Sequence, residues 1–444
     1  MLPAWPRLIY ALPAVPLAFL GLPLYVYLPA HYAALPGIGL AAVGLVLLVA
    51  RLLDLLTDPM VGVLVDRLRG RLRPQWLMSL GTGLMLGGAW WLFQPGPQAG
   101  AFYLLVTLSV TYLGWTLLAV PYYALGADLG AWHGQTRIAA WREGGMIIGT
   151  LAALVLPAVL GDPTALAASA YALLWLAPPA LLLVWWLRVP AAQRVAAPAA
   201  SLAAMWRYTS RPARELLGIH LLNALAAGSA ANLFLIYTRD VLGLDGSGSG
   251  VLLLLYFAAG LIALPFWVRY ARRFGRVRAW RTAMLLAAVG FLPAVALGAG
   301  DQLAFAVVCI LTGATLGADI ALPAAIQGQI VVDESNHPAG PRGGTLFGLW
   351  GMASKLALAL SAGLSLPLLA LLARPGSGFG VAEVAPWLYA GLPVLIKLIA
   401  VVALRRSVLW SLCIEPAAVA GREDADEHSE VGRPGAAADA AHRL

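Results

Sequence analysis

Residues 51–76, RLLDLLTDPMVGVLVDRLRGRLRPQW, decide how this chain is read. Their first part continues an apolar run that begins near Ile38, yet it carries Arg51, Asp54 and Asp58. Their last part is an Arg-rich connection holding Arg67, Arg69, Arg71 and Arg73. Asp54 and Asp58 stand four apart, so a helix stacks them on one face, with Arg51 one turn earlier. A carboxylate at membrane depth costs about 3 kcal/mol or more, so such groups face a bundle interior and mark an ion or proton path. The bland alternative is an Arg51–Asp54 pair with Asp58 capping a kink at Pro59. A kink does not need two carboxylates, and ion-coupled transport is the leading reading.

The composition agrees. Of 444 residues, 61% are hydrophobic and only 11% charged, with a mean hydropathy of +0.81. That excludes a water-soluble globular chain, and apolar runs of roughly 20 residues recur throughout, each long enough to cross a bilayer. The formal charge of +8 sits in a few short connections, which argues for membrane topology and against a nucleic-acid groove. Two cysteines, Cys309 and Cys413, make neither a disulfide framework nor a metal cluster. The N-terminus reads as a retained first span.

The predicted spans are 8–30, 38–65, 76–93, 101–125, 141–161, 166–187, 214–238, 250–271, 280–299, 302–330, 344–372 and 386–408. The expected fold is therefore an all-α membrane protein of twelve transmembrane helices. A Pro- and Ala-rich stretch divides them into six and six. The organisation expected is a first bundle over 1–190, a linker over 191–213, a second bundle over 214–410 and a disordered polar tail over 411–444. Basic residues concentrate in the even-numbered connections, which puts these and both termini in the cytoplasm. An internal echo, RGRLRPQW at 69–76 and RFGRVRAW at 273–280, falls at matching places in the two halves. A parallel duplication leaves such a trace, and it favours two pseudo-symmetric bundles rocking around a central cavity.

The pattern R-x-x-D-x-x-[N/T]-D-P-x-x-G-x-x-x-D-R, carried by Arg51, Asp54, Thr57, Asp58, Pro59, Gly62, Asp66 and Arg67, resembles that of the glycoside–pentoside–hexuronide:cation symporters. These form the melibiose-permease branch of the major facilitator superfamily. Residues 116–129 (TLLAVPYYALGADL), 136–149 (TRIAAWREGGMIIG) and 347–363 (FGLWGMASKLALALSAG) agree with it. The resemblance implies a major facilitator fold in a bacterial inner membrane. It implies a cation site of Asp54, Asp58, Thr57 and Thr116, with Lys355 close by and Na⁺ or H⁺ as the coupling ion. Lys355 is also the one charge deep inside span eleven, too costly there without a partner. Arg142 matches a substrate-site arginine, Asp66 and Arg67 a gate motif joined by Arg71, and Asp128 with Arg137 a related cytoplasmic pair. Lys397 reads as snorkelling from its apolar run. No cofactor is expected beyond the coupling ion. The expected partners are a small-molecule solute, a monovalent cation and membrane lipids, with no nucleic acid, and the chain is expected to act as a monomer.

The sequence also departs from that pattern. Span one holds no acid, the span-four acid position is Ala119, and the span-ten acid reads as replaced by Gln329. A sugar needs dense buried hydrogen bonding, so these losses argue against a galactoside-like solute. Tyr122, Tyr123 and Trp350 lie beside motif residues and are assigned to the cavity, which would suit a lysolipid or another amphiphile. The competing readings are a non-transporting membrane protein of the same fold and a membrane enzyme. The chain shows no nucleophile–base arrangement and no G-x-x-x-x-G-K-[ST] pattern, so an enzyme or an ATP-driven pump is not expected.

Overall fold

The computed structural model describes residues 5–24, 28–33, 35, 40–96, 99–160, 162–187, 205–207, 209–335, 343–373 and 380–412. The expected tail beyond Leu412, with Cys413, and most of the expected linker lie outside them. Every predicted span appears as helix. The first is broken into α1 (Trp5–Ala11), α2 (Ala14–Leu22) and α3 (Leu28–Ala33). Pro13 and Pro23 punctuate it, since proline cannot donate to the helical ladder. Then follow α4 (Leu40–Leu68), α5 (Pro74–Phe93), α6 (Ala101–His133), α7 (Gln135–Leu160) and α8 (Asp162–Val184). The second half runs α9 (Arg211–Asp240), α10 (Gly246–Phe274), α11 (Arg276–Phe291), α12 (Gln302–Ser335) and α13 (Gly343–Leu372). Its last span is α14 (Val381–Pro386), a π-helical turn over Trp387–Gly391 and α15 (Leu392–Arg406). A short α16 (Val408–Leu412) closes the described chain.

Nine helices among the described residues are long and apolar enough to cross a membrane. The remaining three spans are the broken first one, the charge-bearing α4 and the 16-residue α11. Several helices overrun their apolar cores. α6 continues to His133 because nothing breaks it before Gly134, which adopts φ +81°. The echoed connections turn alike: Gly70 (φ +74°) precedes α5 and Gly275 (φ +86°) precedes α11. Only glycine takes that left-handed backbone freely.

Within the first half α5 lies on α6 and α8, α2 on α7, and α4 on α6. In the second, α10 and α11 lie on α12, and α9 packs on α13 and α15. Between halves α4 meets α13, and α7 meets α10 and α12. Two buried clusters cross that interface, one running from Val61, Val65 and Ala124 into Ile330, Leu346 and Phe347, the other joining Ala140 to Leu264 and Ala321. Two others stay within their halves, one around Tyr10, Leu17 and Leu108, the other around Leu233, Tyr237 and Phe305. The halves are thus welded by packing at the Arg-rich end.

The weld depends on missing side chains. A Cβ on Gly348 would stand 2.5 Å from the Asp58 carbonyl oxygen and 3.0 Å from Pro59 Cα. On Gly351 it would stand 2.5 Å from Asp58 Oδ2.

Candidate functional site

Between α4, α6 and α13, four side chains meet. α4 presents Asp54 and Asp58 on one face, and both are buried, at 3% and 2% exposure. α6 brings buried Thr116, and α13 brings Lys355, whose side chain keeps 22% of its surface exposed. An ammonium has three N–H donors. Here each finds an oxygen: Asp54 Oδ1 at 2.6 Å, Asp58 Oδ1 at 2.7 Å and Thr116 Oγ1 at 3.2 Å. Thr116 in turn donates to Asp58 Oδ1 at 2.7 Å. Arg51 lies 3.5 Å from Asp54 Oδ2 and 5.5 Å from the Tyr112 ring centre. Two cations face two carboxylates, so the cluster is neutral as it stands. Asp58 Oδ2 is buried and has no hydrogen-bond partner among the described residues. A buried acceptor left in that state is costly.

Thr57 does not join the cluster. Its hydroxyl donates to the Asp54 main-chain carbonyl at 2.9 Å, the usual use of a threonine inside a helix.

The carboxylate of Asp66, one end of the gate motif, accepts Gly344 N–H at 2.8 Å, Thr345 N–H at 2.7 Å and the Thr345 hydroxyl at 2.6 Å. These are the first residues of α13, whose free N–H groups and dipole favour an anion. Arg67 and Arg71 are exposed beside it. Asp128 pairs with Arg69 at 2.6 Å, so its partner is not the expected Arg137, which lies half-buried in the first turn of α7. On the other flank Arg276 donates to Thr136 at 2.8 Å and to Gln329 at 3.2 Å, joining α11 to α7 and α12.

Arg142, 5% exposed, is held by Glu143 (2.6 Å) and lies 4.5 Å from the Tyr123 ring centre. Tyr122 departs from its cavity assignment: it is fully buried, stacks on Tyr10 at 4.7 Å and donates to the Tyr10 carbonyl at 2.6 Å. Ala119 sits in the same packed core. Trp350 is 8% exposed and stacks on His220, ring centres 3.7 Å apart. His220 Nε2 lies 2.9 Å from Ser354 Oγ.

One sequence expectation is corrected in the second half. Lys397 does not snorkel: it is 3% exposed and bonds Asp319 Oδ2 at 2.5 Å and Asn223 Oδ1 at 2.8 Å. Asp319 lies mid-way along α12, and Gln329 lies near the end of that helix, where it accepts from Arg276. Asp319 carries the signal that exposed Lys355, a charge deep in an apolar run, and reading α12 in the same way finds it.

A family model described as "MFS/sugar transport protein" matches residues 9–409. The chain belongs to that family, within the major facilitator superfamily, and its proteins are transporters, not enzymes. Solved structures share the fold. A bacterial homologue of the iron transporter ferroportin in an outward-facing state superimposes with a TM-score of 0.67 at 18% identity, covering 92% of this chain and 98% of that one. The fucose:proton symporter of E. coli gives 0.64 at 14% identity, covering 90% and 97%.

Proposed function

We propose that this protein is a cation-coupled secondary symporter of a small organic solute, working by alternating access. The observation that carries this reading is the meeting of Asp54, Asp58 and Thr116 of the first half with Lys355 of the second. Carboxylate and hydroxyl oxygens are hard donors that suit Na⁺, and the same carboxylates can carry H⁺. Lys355 holds the place of the ion. An entering cation takes Asp58 Oδ2 first and then competes with the ammonium for the oxygens it occupies. Because Lys355 rides on α13 and its acceptors on α4 and α6, displacing it removes a bond between the halves. Solute binding and cation binding are then linked through one interface, which is what symport requires.

The span-two motif supports assignment to the melibiose-permease-like branch. The Arg-rich end is read as cytoplasmic in a bacterial inner membrane, so the Asp66 latch is the inner gate. Arg142 over Tyr123 is the candidate solute anchor. Ala119 in the packed core, and the absence of any acid in the described residues of α1 to α3, favour an amphiphile such as a lysolipid as a second reading over a densely hydrogen-bonded sugar.

The test is uptake of sugars and lysolipids into vesicles under an imposed sodium or proton gradient, wild type beside Asp58→Asn. Accumulation that follows one gradient and is lost in the variant supports the proposal. Accumulation that is the same in both refutes it.

A further inference from the structure

The second half contains a buried charge cluster that the cation site does not use. Lys397 on α15 binds Asp319 on α12 and Asn223 on α9. Burying an ion pair gains little stability unless every remaining polar atom is satisfied. Here one is not: Asp319 Oδ1 is buried with no hydrogen-bond partner among the described residues. The Asp319 side chain as a whole retains 12% of its surface, while Oδ1 itself is covered.

Its place in the fold gives this oxygen a consequence. The echoed segments are offset by 273 − 69 = 204 positions. That offset carries Asp319 onto Trp115, the neighbour of Thr116, so each half places a buried polar cluster on its fourth helix at a corresponding depth. The two clusters are also linked. Asn223 lies one turn after His220 on α9, and His220 meets Ser354, the residue before Lys355. α9, α12 and α15 all take part in packing the second half.

We propose that Asp319, paired with Lys397 and Asn223, is a second, proton-binding site in the C-terminal half. A proton adds to Asp319 Oδ1, converting carboxylate to neutral acid. Lys397 remains an ammonium, held by Asn223 Oδ1, and the triad passes from net zero charge to +1. An ammonium without its counter-ion is costly at membrane depth, so protonation biases how α9, α12 and α15 pack and favours a rearranged half. The titratable and charged groups around Asp319 among the described residues are Lys397 on α15 and Tyr256 on α10, while α9 contributes a neutral amide. The site itself is argued without the symport reading; only its role in coupling rests on that reading.

The test is an infrared pH titration of the purified full chain, following the C=O stretch of protonated carboxyl groups. Wild type is compared with Asp319→Asn, with Asp54→Asn/Asp58→Asn and with Asp319→Asn/Lys397→Met. The expected result is a titrating component that survives Asp54→Asn/Asp58→Asn and disappears in Asp319→Asn. The double variant, which leaves no lone buried ammonium, must lack it too and serves where Asp319→Asn fails to fold. A titration unchanged in either Asp319 variant overturns the proposal. Failure of the symport reading looks different: cation responses insensitive to Asp54 and Asp58, with the Asp319 component intact.

Discussion

Replacing Asp66 by Asn should loosen the Arg-rich end without unfolding the protein. The carboxylate accepts three hydrogen bonds from the start of α13 at 2.6–2.8 Å. Asparagine keeps one carbonyl oxygen and turns an NH₂ group against a donor. Hydrogen bonds to a charged acceptor contribute about 1.5–3 kcal/mol each, against about 1 for a neutral one. Losing the charge at a helix N-terminus removes about 0.5 kcal/mol more. Net, the closed arrangement loses about 3 kcal/mol, a shift of about 150-fold in its equilibrium with any arrangement that lacks the latch. Spin labels at Leu72 and Arg278, both exposed at that end, report the separation of the halves by pulsed electron resonance. Wild type should give one short-distance population and Asp66→Asn a second, longer one. An unchanged distance distribution would refute the latch.

Gly348→Ala pushes a methyl group against the Asp58 carbonyl, 2.5 Å away, and should destabilise the same closed arrangement by about 1–3 kcal/mol, read with the same spin labels. Lys355→Met leaves Asp54 and Asp58 with Arg51 alone, so the variant should depend on added cation for stability. Its thermal midpoint should rise with Na⁺ more than that of wild type, by the equivalent of about 2.7 kcal/mol at a hundredfold excess over Kd. Equal shifts would mean that Lys355 does not compete with the ion. Tyr122→Phe should cost about 1 kcal/mol of stability by loss of the bond to the Tyr10 carbonyl, measured by melting, and leave solute affinity unchanged.

Much of this arrangement was legible because charges are conspicuous in apolar helices. Asp54 and Asp58 were forced inward by their cost, and Lys355, buried far from either end of α13, required a partner that α4 supplies. The same logic applied to Lys397 and was overridden by its position. It lies nine residues before the end of α15 at Arg406, about 13 Å of helix, which is beyond the reach of a lysine stem to that end. Tyr122 was misplaced for a geometric reason. Adjacent helical residues point about 100° apart, so Tyr123 meets Arg142 while Tyr122 turns into the core with Tyr10. The pairing of Asp128 with Arg69 could not be read from sequence, because it depends on how the loop after α4 folds back over α6.

The central claim is that Asp54 and Asp58 hold the coupling cation. The most direct measurement is tryptophan fluorescence of the purified protein titrated with Na⁺ and Li⁺, wild type beside Asp54→Ala/Asp58→Ala. The account predicts a saturable response to at least one ion or, for proton coupling, to pH, lost in the double variant. A wild type that ignores both ions, with a pH response the substitutions leave unchanged, would contradict it.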